Sequence, residues 1–234
     1  MSAFVIKEVH SHLFSHMAKV KDIAIYGAGG FGREVACLIR LVNGSLPEPR
    51  WNVIGFFDDG KEVGFKTEYG EVLGNVDALN SWEKPLDVVI AIGNPNDVKK
   101  LAESISNPLV EYPNIIAPTA VFLDRNNVRF GKGNIICTGC MISCNVTVGD
   151  FNLFNDRVSI GHDGAIGSYN VIMPSVNISG GVEIGDCNFF GVQSVVLQYL
   201  KIGNNVRIGA SSVMMRNAKD DFLYVGNPAL RMKL

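Results

Sequence analysis

The chain has no long apolar run, no excess of one charge and only four histidines. Its 21 Lys and Arg residues nearly balance 23 Asp and Glu, and no basic cluster stands out. This balance argues against nucleic-acid and anionic-membrane binding, which need concentrated positive charge. No apolar stretch approaches the ~20 residues that a membrane span requires. Because the N-terminus lacks the layout of a secretory signal, we expect a cytoplasmic protein.

Cysteine is sparse, and its pattern predicts neither a disulfide nor a metal site. Five cysteines are an odd number, as expected for reduced thiols in a cytosolic chain. Cys137 and Cys140 form a C-x-x-C with Cys144 close by, yet no second C-x-x-C or nearby histidine completes a zinc site. Cys187 has no basic neighbour in sequence that would activate it as an acyl carrier.

A six-residue repeat runs without a break from Phe130 to Met214. An apolar residue occupies every sixth position, and a small or mid-sized residue, often Asn, lies two positions earlier. This period is typical of a hexapeptide parallel β-helix, in which each six-residue unit, here called a word, forms a short strand and a turn. A β-sandwich, the alternative, has irregular loops that would lose the register. The apolar positions are Phe130, Ile136, Ile142, Val148, Phe154, Ile160, Ile166, Ile172, Ile178, Ile184, Phe190, Val196, Ile202, Ile208 and Met214.

Three words complete one coil, so residues eighteen apart stack on one another. One stacked column is glycine throughout, and we expect tight turns with positive φ there. The register predicts that Cys140 is a small inward-facing residue that packs in the core and does not bind a metal. The column consists of Gly131, Gly149, Gly167, Gly185 and Gly203.

An α/β pattern precedes the repeat. Residues 23–26 predict a buried strand, residues 27–32 fit G-x-G-x-x-G, and Arg33 to Leu41 predict a helix. Such a loop brings backbone N–H groups and a helix N-terminus to a phosphate. Further elements are predicted as strands at 53–57, 88–92 and 110–112 and a helix at 97–106.

The size of this unit favours a mononucleotide-type ligand. Roughly 95 residues are short for a dinucleotide fold, so an NAD(P) dehydrogenase is a weaker alternative than a nucleotide-linked sugar binder. A glycine turn used only for helix–strand packing stays a second alternative. Asp58 and Asp59 end the second strand, where a carboxylate can bond a ribose or base. We divide the chain into an N-terminal extension, native or left from cloning (1–20), a Rossmann-like domain (21–112) and a β-helix domain with a C-terminal tail (113–234).

His162 is the residue best suited to acid–base chemistry. The other three histidines lie in the N-terminal extension, so His162 is the only one in the folded body. It lies two residues past the inward Ile160, on a turn, so its ring should point outward. Imidazole has an ordinary pKa near working pH, which suits a general base, and Asp163 follows directly. A surface histidine without a role is the alternative.

The motifs resemble one family when they are taken together. In order and spacing, the chain from about Lys21 onward is similar to bacterial acyltransferases of the sialic-acid O-acetyltransferase and bacillosamine N-acetyltransferase type. The motifs are 26–32 (YGAGGFG), 57–59 (FDD), 91–94 (AIGN), 160–163 (IGHD) and 225–229 (VGNPA).

The resemblance implies a left-handed β-helix and a homotrimer with its active sites at subunit interfaces. The general base falls on His162 and its partner on Asp163, where some relatives carry Glu. No metal or acyl-enzyme is implied. Because no long loop interrupts the coils, the N-terminal domain, from a neighbouring subunit, must form the other wall of the pocket. Substrate contacts fall on Gly29, Gly30, Phe31, Asp58, Asp59, Gly93 and Asn155, and acetyl-CoA contacts on Gly180, Val192 and Ala210.

The function implied is acetyl transfer from acetyl-CoA to the amino group of a nucleotide-linked 4-amino-4,6-dideoxy sugar. Two alternatives stay open. One is a sialic-acid-type sugar O-acetyltransferase, which would not depend on a nucleotide. The other is a non-catalytic nucleotide-sugar-binding protein on the same fold.

Overall fold

The chain folds into an α/β unit followed by a three-sided, left-handed parallel β-helix, which confirms the predicted fold class. The computed structural model describes residues 20–233, so almost all of the predicted N-terminal extension lies outside the described residues. The division at residue 112 stays a prediction. Among the described residues, no helix is long and apolar enough to cross a bilayer.

The α/β unit contains six strands and three helices. The sheet runs in the order β3-β4-β2-β1-β5-β6, and β3 pairs antiparallel with β4. The sequence predicted β1, β2, β5, β6, α1 and α3 to within a few residues and missed β3, β4 and α2. The bounds are β1 Lys21–Tyr26, α1 Gly30–Gly44, β2 Trp51–Phe57, β3 Lys66–Thr67, β4 Gly70–Gly74, α2 Val76–Asn80, β5 Leu86–Ile90, α3 Pro95–Ser104 and β6 Val110–Glu111.

Strand β1 is apolar at consecutive positions because both faces of the sheet are covered. Ile23 and Ile25 pack toward α1, whereas Ala24 and Tyr26 pack toward α2 and α3. Parallel strands buried on both sides need continuous apolar runs, not alternation. The carboxyl end of β1 therefore delivers the glycine loop to the sheet edge beside the end of β2.

Three parallel sheets make the faces of the β-helix. In most coils the second residue of each two-residue strand points inward, and strands eighteen residues apart pair, as Ser159 does with Asn177. Face 1 contains β7 Ile115–Ile116, β10 Ile135–Ile136, β13 Leu153–Phe154, β16 Val171–Ile172, β19 Phe189–Phe190, β22 Arg207–Ile208, β24 Phe222–Gly226 and β25 Ala229–Lys233. Face 2 contains β8 Val121–Phe122, β11 Met141–Ile142, β14 Ser159–Ile160, β17 Asn177–Ile178, β20 Val195–Val196 and β23 Val213–Met214. Face 3 contains β9 Val128–Phe130, β12 Val146–Val148, β15 Ala165–Ile166, β18 Glu183–Ile184 and β21 Lys201–Ile202.

The coils begin before the unbroken repeat and end in a hairpin. Ile115 pairs with Ile135, an offset of twenty, because a 3₁₀ turn at Arg125–Asn127 adds two residues to the first coil. At the other end Arg207 pairs with Leu223, an offset of sixteen. Because both end coils depart from the six-residue period, the sequence pattern did not reveal them, and the predicted repeat began only at Phe130.

The glycine column is required by close approach, and the prediction of positive φ there was wrong. A Cβ built on Gly149 would lie 2.7 Å from the carbonyl oxygen of Gly167 in the next coil. Positive φ occurs two residues later in each turn, where Phe151 has φ 54° and Tyr169 has φ 62°. In these turns one position therefore requires glycine because a side chain does not fit, and a second position, two residues later, adopts the left-handed backbone conformation.

A ladder of buried asparagines runs along the inside of one corner. The Asn170 side-chain amide donates to Asn152 Oδ1 at 2.9 Å and to the Gly185 carbonyl at 3.0 Å, and its Oδ1 accepts the Asn188 N–H at 2.9 Å. These bonds satisfy buried groups that no water reaches. The Asn residues of the repeat therefore join successive coils.

Replacing Asn170 with alanine is expected to lower the free energy of unfolding by about 1–3 kcal/mol, because buried groups in two coils lose their partners. Urea denaturation followed by circular dichroism measures the change. Asn127→Ala, in the exposed 3₁₀ turn, is the matched control. An unchanged midpoint for Asn170→Ala would contradict a structural role of the ladder.

The α/β unit covers face 1. Helix α1 residues such as Val35 and Leu38 pack against the outward residues of that face, including Ile135 and Leu153. At one edge Phe151 packs edge-on to Tyr112 with ring centroids 4.9 Å apart. Because apolar groups join the two parts, the α/β unit is fixed on face 1 within one chain.

Candidate functional site

His162 lies on the corner between face 2 and face 3. We call the turns 161–164, 179–182 and 197–200, which stack there, the histidine corner. Its Nδ1 lies 2.8 Å from Asp163 Oδ2, and about half of each side chain is exposed. An ionised carboxylate only accepts hydrogen bonds, so the contact assigns the proton to Nδ1 and leaves the Nε2 lone pair free.

Asp163 is itself held in place. Its backbone has φ 56°, and Asn145, eighteen residues earlier, donates from Nδ2 to Asp163 Oδ1 at 3.1 Å. The hydrogen bond from His162, helped by the one from Asn145, holds the pKa of Asp163 below its ordinary value. The carboxylate therefore stays ionised and keeps the imidazole oriented. Asn145 was not among the predicted site residues, although the eighteen-residue register places it beside Asp163.

The His162 ring rests on Gly180 of the next coil. A Cβ built on Gly180 would lie 2.5 Å from His162 Nε2 and 2.6 Å from Cε1, so only glycine leaves room for the ring. Gly161 instead allows the backbone of the next coil to approach closely, since its Cβ would lie 2.6 Å from the Ser179 carbonyl carbon. Within the described residues, the Gly180 N–H has no hydrogen-bond acceptor.

The glycine loop opens onto a cleft at the start of α1. A Cβ on Gly29 or Gly30 would meet nothing within 4 Å, whereas Gly27 has φ 109° and backs onto the Ala91 carbonyl. Gly29 and Gly30 therefore leave space that a ligand can fill. The cleft holds about 530 Å³ and has Arg33, Lys61 and Lys66 on its walls, together with Glu68, whose carboxylate lies 3.8 Å from the Arg33 guanidinium.

Three cations around a helix N-terminus suit a phosphate group. Arg33 directly follows the glycine motif, so the sequence carried a signal for it. Lys61 and Lys66 come from the segment before and within β3, which had no recognisable pattern.

Asp58 and Asp59 have different roles. Asp58 accepts the Ala28 N–H at 2.8 Å and the Gly60 N–H at 2.9 Å, so both of its oxygens hold the loops. Asp59 Oδ1 accepts the Tyr26 hydroxyl at 2.8 Å and the Val76 N–H at 3.1 Å. Burial, with help from the Asp59 bond, raises the pKa of Tyr26. Within the described residues Asp59 Oδ2 has no hydrogen-bond partner and borders a cleft of about 470 Å³.

Phe31 and Asn155 line one small pocket where α1 meets the β-helix. It holds about 190 Å³ and also includes Glu34 and Asp156. Asn155 lies on the corner between face 1 and face 2, which we call the Asn155 corner. Val192 and Ala210 lie on the same corner, two and three coils further on, and both are exposed. Gly93, which follows β5, is open to solvent, with nothing near its Cβ position.

The predicted site residues thus fall into separate groups within one chain. His162, Asp163 and Gly180 share the histidine corner, which is opposite face 1. The substrate group lies in and beside the α/β unit that covers face 1, and Val192 and Ala210 lie across face 2 from the histidine. A triangular prism keeps these regions apart, so one chain does not bring them together.

The cysteines behave as packing residues. Burial raises the pKa of Cys140 to about 11, and burial also raises the pKa values of Cys137 and Cys187. The described residues contain no group of three His, Cys, Asp or Glu side chains placed to hold a metal.

Comparisons with known proteins agree with this two-part architecture. Residues 22–105 match the family described as the PglD N-terminal domain. WeeI from Acinetobacter baumannii AYE has 28% sequence identity and a TM-score of 0.80, with 91% of this chain and 100% of that chain covered. PerB from Caulobacter crescentus, in complex with CoA and GDP-perosamine, has 26% identity and a TM-score of 0.81, with 91% and 98% covered.

A curated relative matches a shorter stretch. An acyl-[acyl-carrier-protein]–UDP-N-acetylglucosamine O-acyltransferase from Burkholderia thailandensis is 35% identical over 114 residues. The match covers 48% of this chain and 43% of that protein, so the chain spans about half the length of the curated relatives it matches. Residues 22–105 therefore match the PglD N-terminal domain family, and the chain resembles the bacterial hexapeptide-repeat sugar acyltransferases, as its motifs indicated.

Proposed function

We propose that the protein transfers an acetyl group from acetyl-CoA to the amino group of a nucleotide-linked 4-amino-4,6-dideoxy sugar. The observation that carries the proposal is the His162 imidazole, oriented by Asp163 and seated on Gly180 in a β-helix that carries a PglD N-terminal domain. The PerB structure, which holds CoA and GDP-perosamine, supports a CoA thioester and a nucleotide-linked sugar as the two substrates.

The chemistry is direct acyl transfer. The sugar amine attacks the thioester carbonyl carbon while His162 Nε2 takes the proton that the nitrogen loses. Asp163 stabilises the imidazolium that forms. The tetrahedral oxyanion then collapses, the C–S bond breaks, and the imidazolium returns its proton to the leaving thiolate of CoA. The Gly180 N–H is free to donate to the oxyanion, and much of the acceleration comes from holding two substrates in line.

A carboxylate this exposed is expected to matter less than a buried one. Asp163→Asn should lower kcat by about 10-fold, because the amide no longer stabilises the imidazolium, which is the charge that forms in the transition state. Steady-state CoA release measures the rate, and a kcat equal to that of the wild type would contradict the role of Asp163.

The proposed active site is shared between subunits of a homotrimer. His162 lies on the corner opposite the face that its own α/β unit covers, so a second copy must supply the sugar-binding half. Face 2 offers a surface for assembly because its outward side chains carry no charge. They are Val121, Met141, Ser159, Asn177, Val195 and Val213, whereas face 3 presents Arg129, Glu183 and Lys201.

Mixed oligomers provide a direct prediction. Coexpression of a His162→Ala chain with a chain carrying Asp58→Ala and Asp59→Ala should restore activity to about a third of the sites of each mixed trimer, since one of the three interfaces in such a trimer pairs two intact halves. Two differently tagged chains, purified in tandem and assayed for CoA release, measure the recovery. The two variants refolded separately and mixed without subunit exchange are the control, and no recovery in true hetero-oligomers would contradict a shared site.

A substrate panel tests the function itself. We expect CoA release, read with a thiol reagent, from acetyl-CoA together with UDP-, dTDP- or GDP-linked 4-amino sugars, and an N-acetylated product by mass spectrometry. Transfer to a free sugar that is indifferent to Asp59→Asn would favour the O-acetyltransferase alternative. Nucleotide-sugar binding without CoA release would favour a non-catalytic binder, and tight NAD(P) binding in a fluorescence titration would favour the dehydrogenase.

A further inference from the structure

Asn145 is a polar side chain that the proposed mechanism does not use. It lies on the turn one coil before Asp163 and donates from Nδ2 to Asp163 Oδ1 at 3.1 Å. Both residues are exposed, so this bond satisfies no buried group, unlike the bonds of Asn170 in the buried ladder. A hydrogen bond between exposed groups stabilises a fold little, because water offers both groups an equivalent partner. The stability of the β-helix therefore does not account for the contact.

The Asp163 carboxylate has one side-chain donor on each oxygen. His162 Nδ1 lies 2.8 Å from Oδ2, and Asn145 Nδ2 lies 3.1 Å from Oδ1. Among the described residues no Lys or Arg forms an ion pair with this carboxylate. The torsion about the Cβ–Cγ bond of an aspartate is soft, so a carboxylate held at one oxygen alone still rotates. Asn145 therefore fixes the plane in which Oδ2 meets the imidazole.

The same kind of bond also occurs in the β-helix where no histidine is present. Asn205 Nδ2 donates to Asp221 Oδ1 at 2.8 Å on the corner between face 3 and face 1. Asn205 and Asn145 both have a left-handed backbone, with φ 51° and 56°. Such a turn favours asparagine for its backbone alone, so the residue type at 145 is no evidence of a role. The difference is that the acceptor of Asn145 is bonded to His162.

We propose that Asn145 is a positioning residue for the acyl transfer, which fixes the Asp163 carboxylate and thereby keeps the His162 proton on Nδ1 and Nε2 free to act as the base. This rests on the proposed function, since it assigns the support of the same base. Backbone bonds hold the turns in register, because Asp163 N–H donates to the Cys144 carbonyl at 3.0 Å and Gly181 N–H donates to the His162 carbonyl at 2.8 Å. The orientation of one imidazole thus depends on three consecutive coils.

Asn145→Gly removes the donor without straining the turn, because glycine adopts a left-handed backbone readily. A residue that acts through Asp163 cannot cost more than the roughly 10-fold loss expected for Asp163→Asn, so kcat should fall about fivefold while both KM values stay within about twofold. Asn145→Asp has the same shape but no donor, and it should lower kcat at least as far because two carboxylates repel each other. Steady-state CoA release measures these values.

Asn205→Gly is the matched control, because it loses the equivalent bond to Asp221 on a different corner. Its kcat should equal that of the wild type. In an Asp163→Asn background, Asn145→Gly should cause no further loss, since both changes act on one carboxylate. Wild-type kcat in Asn145→Gly overturns the inference, and so does an equal loss in Asn205→Gly or a fully multiplicative loss in the double variant.

The position of the proton provides a readout that needs no catalysis. In protein with isotope-labelled histidine, the His162 ring signal is identified by its absence in His162→Ala. Nuclear magnetic resonance of the neutral ring should show the proton on Nδ1 in the wild type, and a smaller Nδ1–H fraction in Asn145→Gly but not in Asn205→Gly. An unchanged fraction in Asn145→Gly overturns the inference whatever the activity. A wild type that releases no CoA with any sugar nucleotide of the panel instead contradicts the proposed function, so the two failures are distinguishable.

Discussion

Replacing His162 with alanine is expected to lower kcat by about 10²–10⁴, the usual range for a lost general base. The ring makes one hydrogen bond, to Asp163, and is half exposed, so its loss removes little from the fold. Affinity for CoA and for the sugar nucleotide should change little, because the proposed role of the imidazole is proton transfer and not the binding of either ligand. Stopped-flow or steady-state thiol release measures the rate, and calorimetry measures the two affinities.

The assembly and the fold of His162→Ala serve as internal controls. Light scattering and the melting temperature should match the wild type, since Asp163 keeps its bond from Asn145. Activity within about threefold of the wild type in a correctly assembled variant would end the general-base assignment. Rescue of the variant by added imidazole would strengthen the assignment, because the empty ring position over Gly180 can admit a free base.

Gly180→Val is expected to lower kcat by about 10²-fold, because it displaces the His162 imidazole. A Cβ at residue 180 would lie 2.5 Å from His162 Nε2, so the branched side chain forces the ring off its seat. Displacing a catalytic group by about 1 Å can cost two orders of magnitude. Gly164→Ala is the matched control on the same corner, because its Cβ would meet its nearest neighbours at 3.4 Å.

A double-mutant cycle separates displacement of the ring from general damage. With His162 already alanine, a valine at residue 180 has no ring to displace, so the double variant should be no slower than His162→Ala alone. Independent effects would instead multiply. A fully multiplicative loss would show that Gly180→Val acts by another route. Wild-type activity in Gly180→Val would contradict the claim that the His162 ring needs glycine at residue 180.

The repeat made most of the prism predictable. Apolar residues six apart all fall on inward strand positions and the residues between them form the turns, so Ile160 and Ile178 are buried as expected, and His162 is exposed on its turn. The irregular end coils were not predictable, since insertion of a 3₁₀ turn at 125–127 changes the offset from eighteen to twenty. Strands β3 and β4 were missed because strands of two and five residues are too short to show a periodic pattern.

The chemistry was only partly visible in sequence. Asp58 and Asp59 looked equivalent as neighbours. The Ala28 and Gly60 N–H groups donate to the two oxygens of Asp58, one each. Both donors to Asp59 share its Oδ1, so its Oδ2 has no partner among the described residues. Which oxygen is occupied depends on loops brought together from three strands, and no local pattern encodes that.

The sequence by itself determined the period, the glycine column, the position of His162 on a turn and the α/β unit ahead of the coils. These follow from local spacing, because a chain that repeats every six residues has one way to bury its apolar positions. Tertiary structure alone decided that the glycines serve close approach, that the imidazole rests on Gly180, and that the α/β unit covers the face opposite His162. Those facts depend on which coils and faces touch, and contacts between residues far apart in sequence are set by packing of the whole chain.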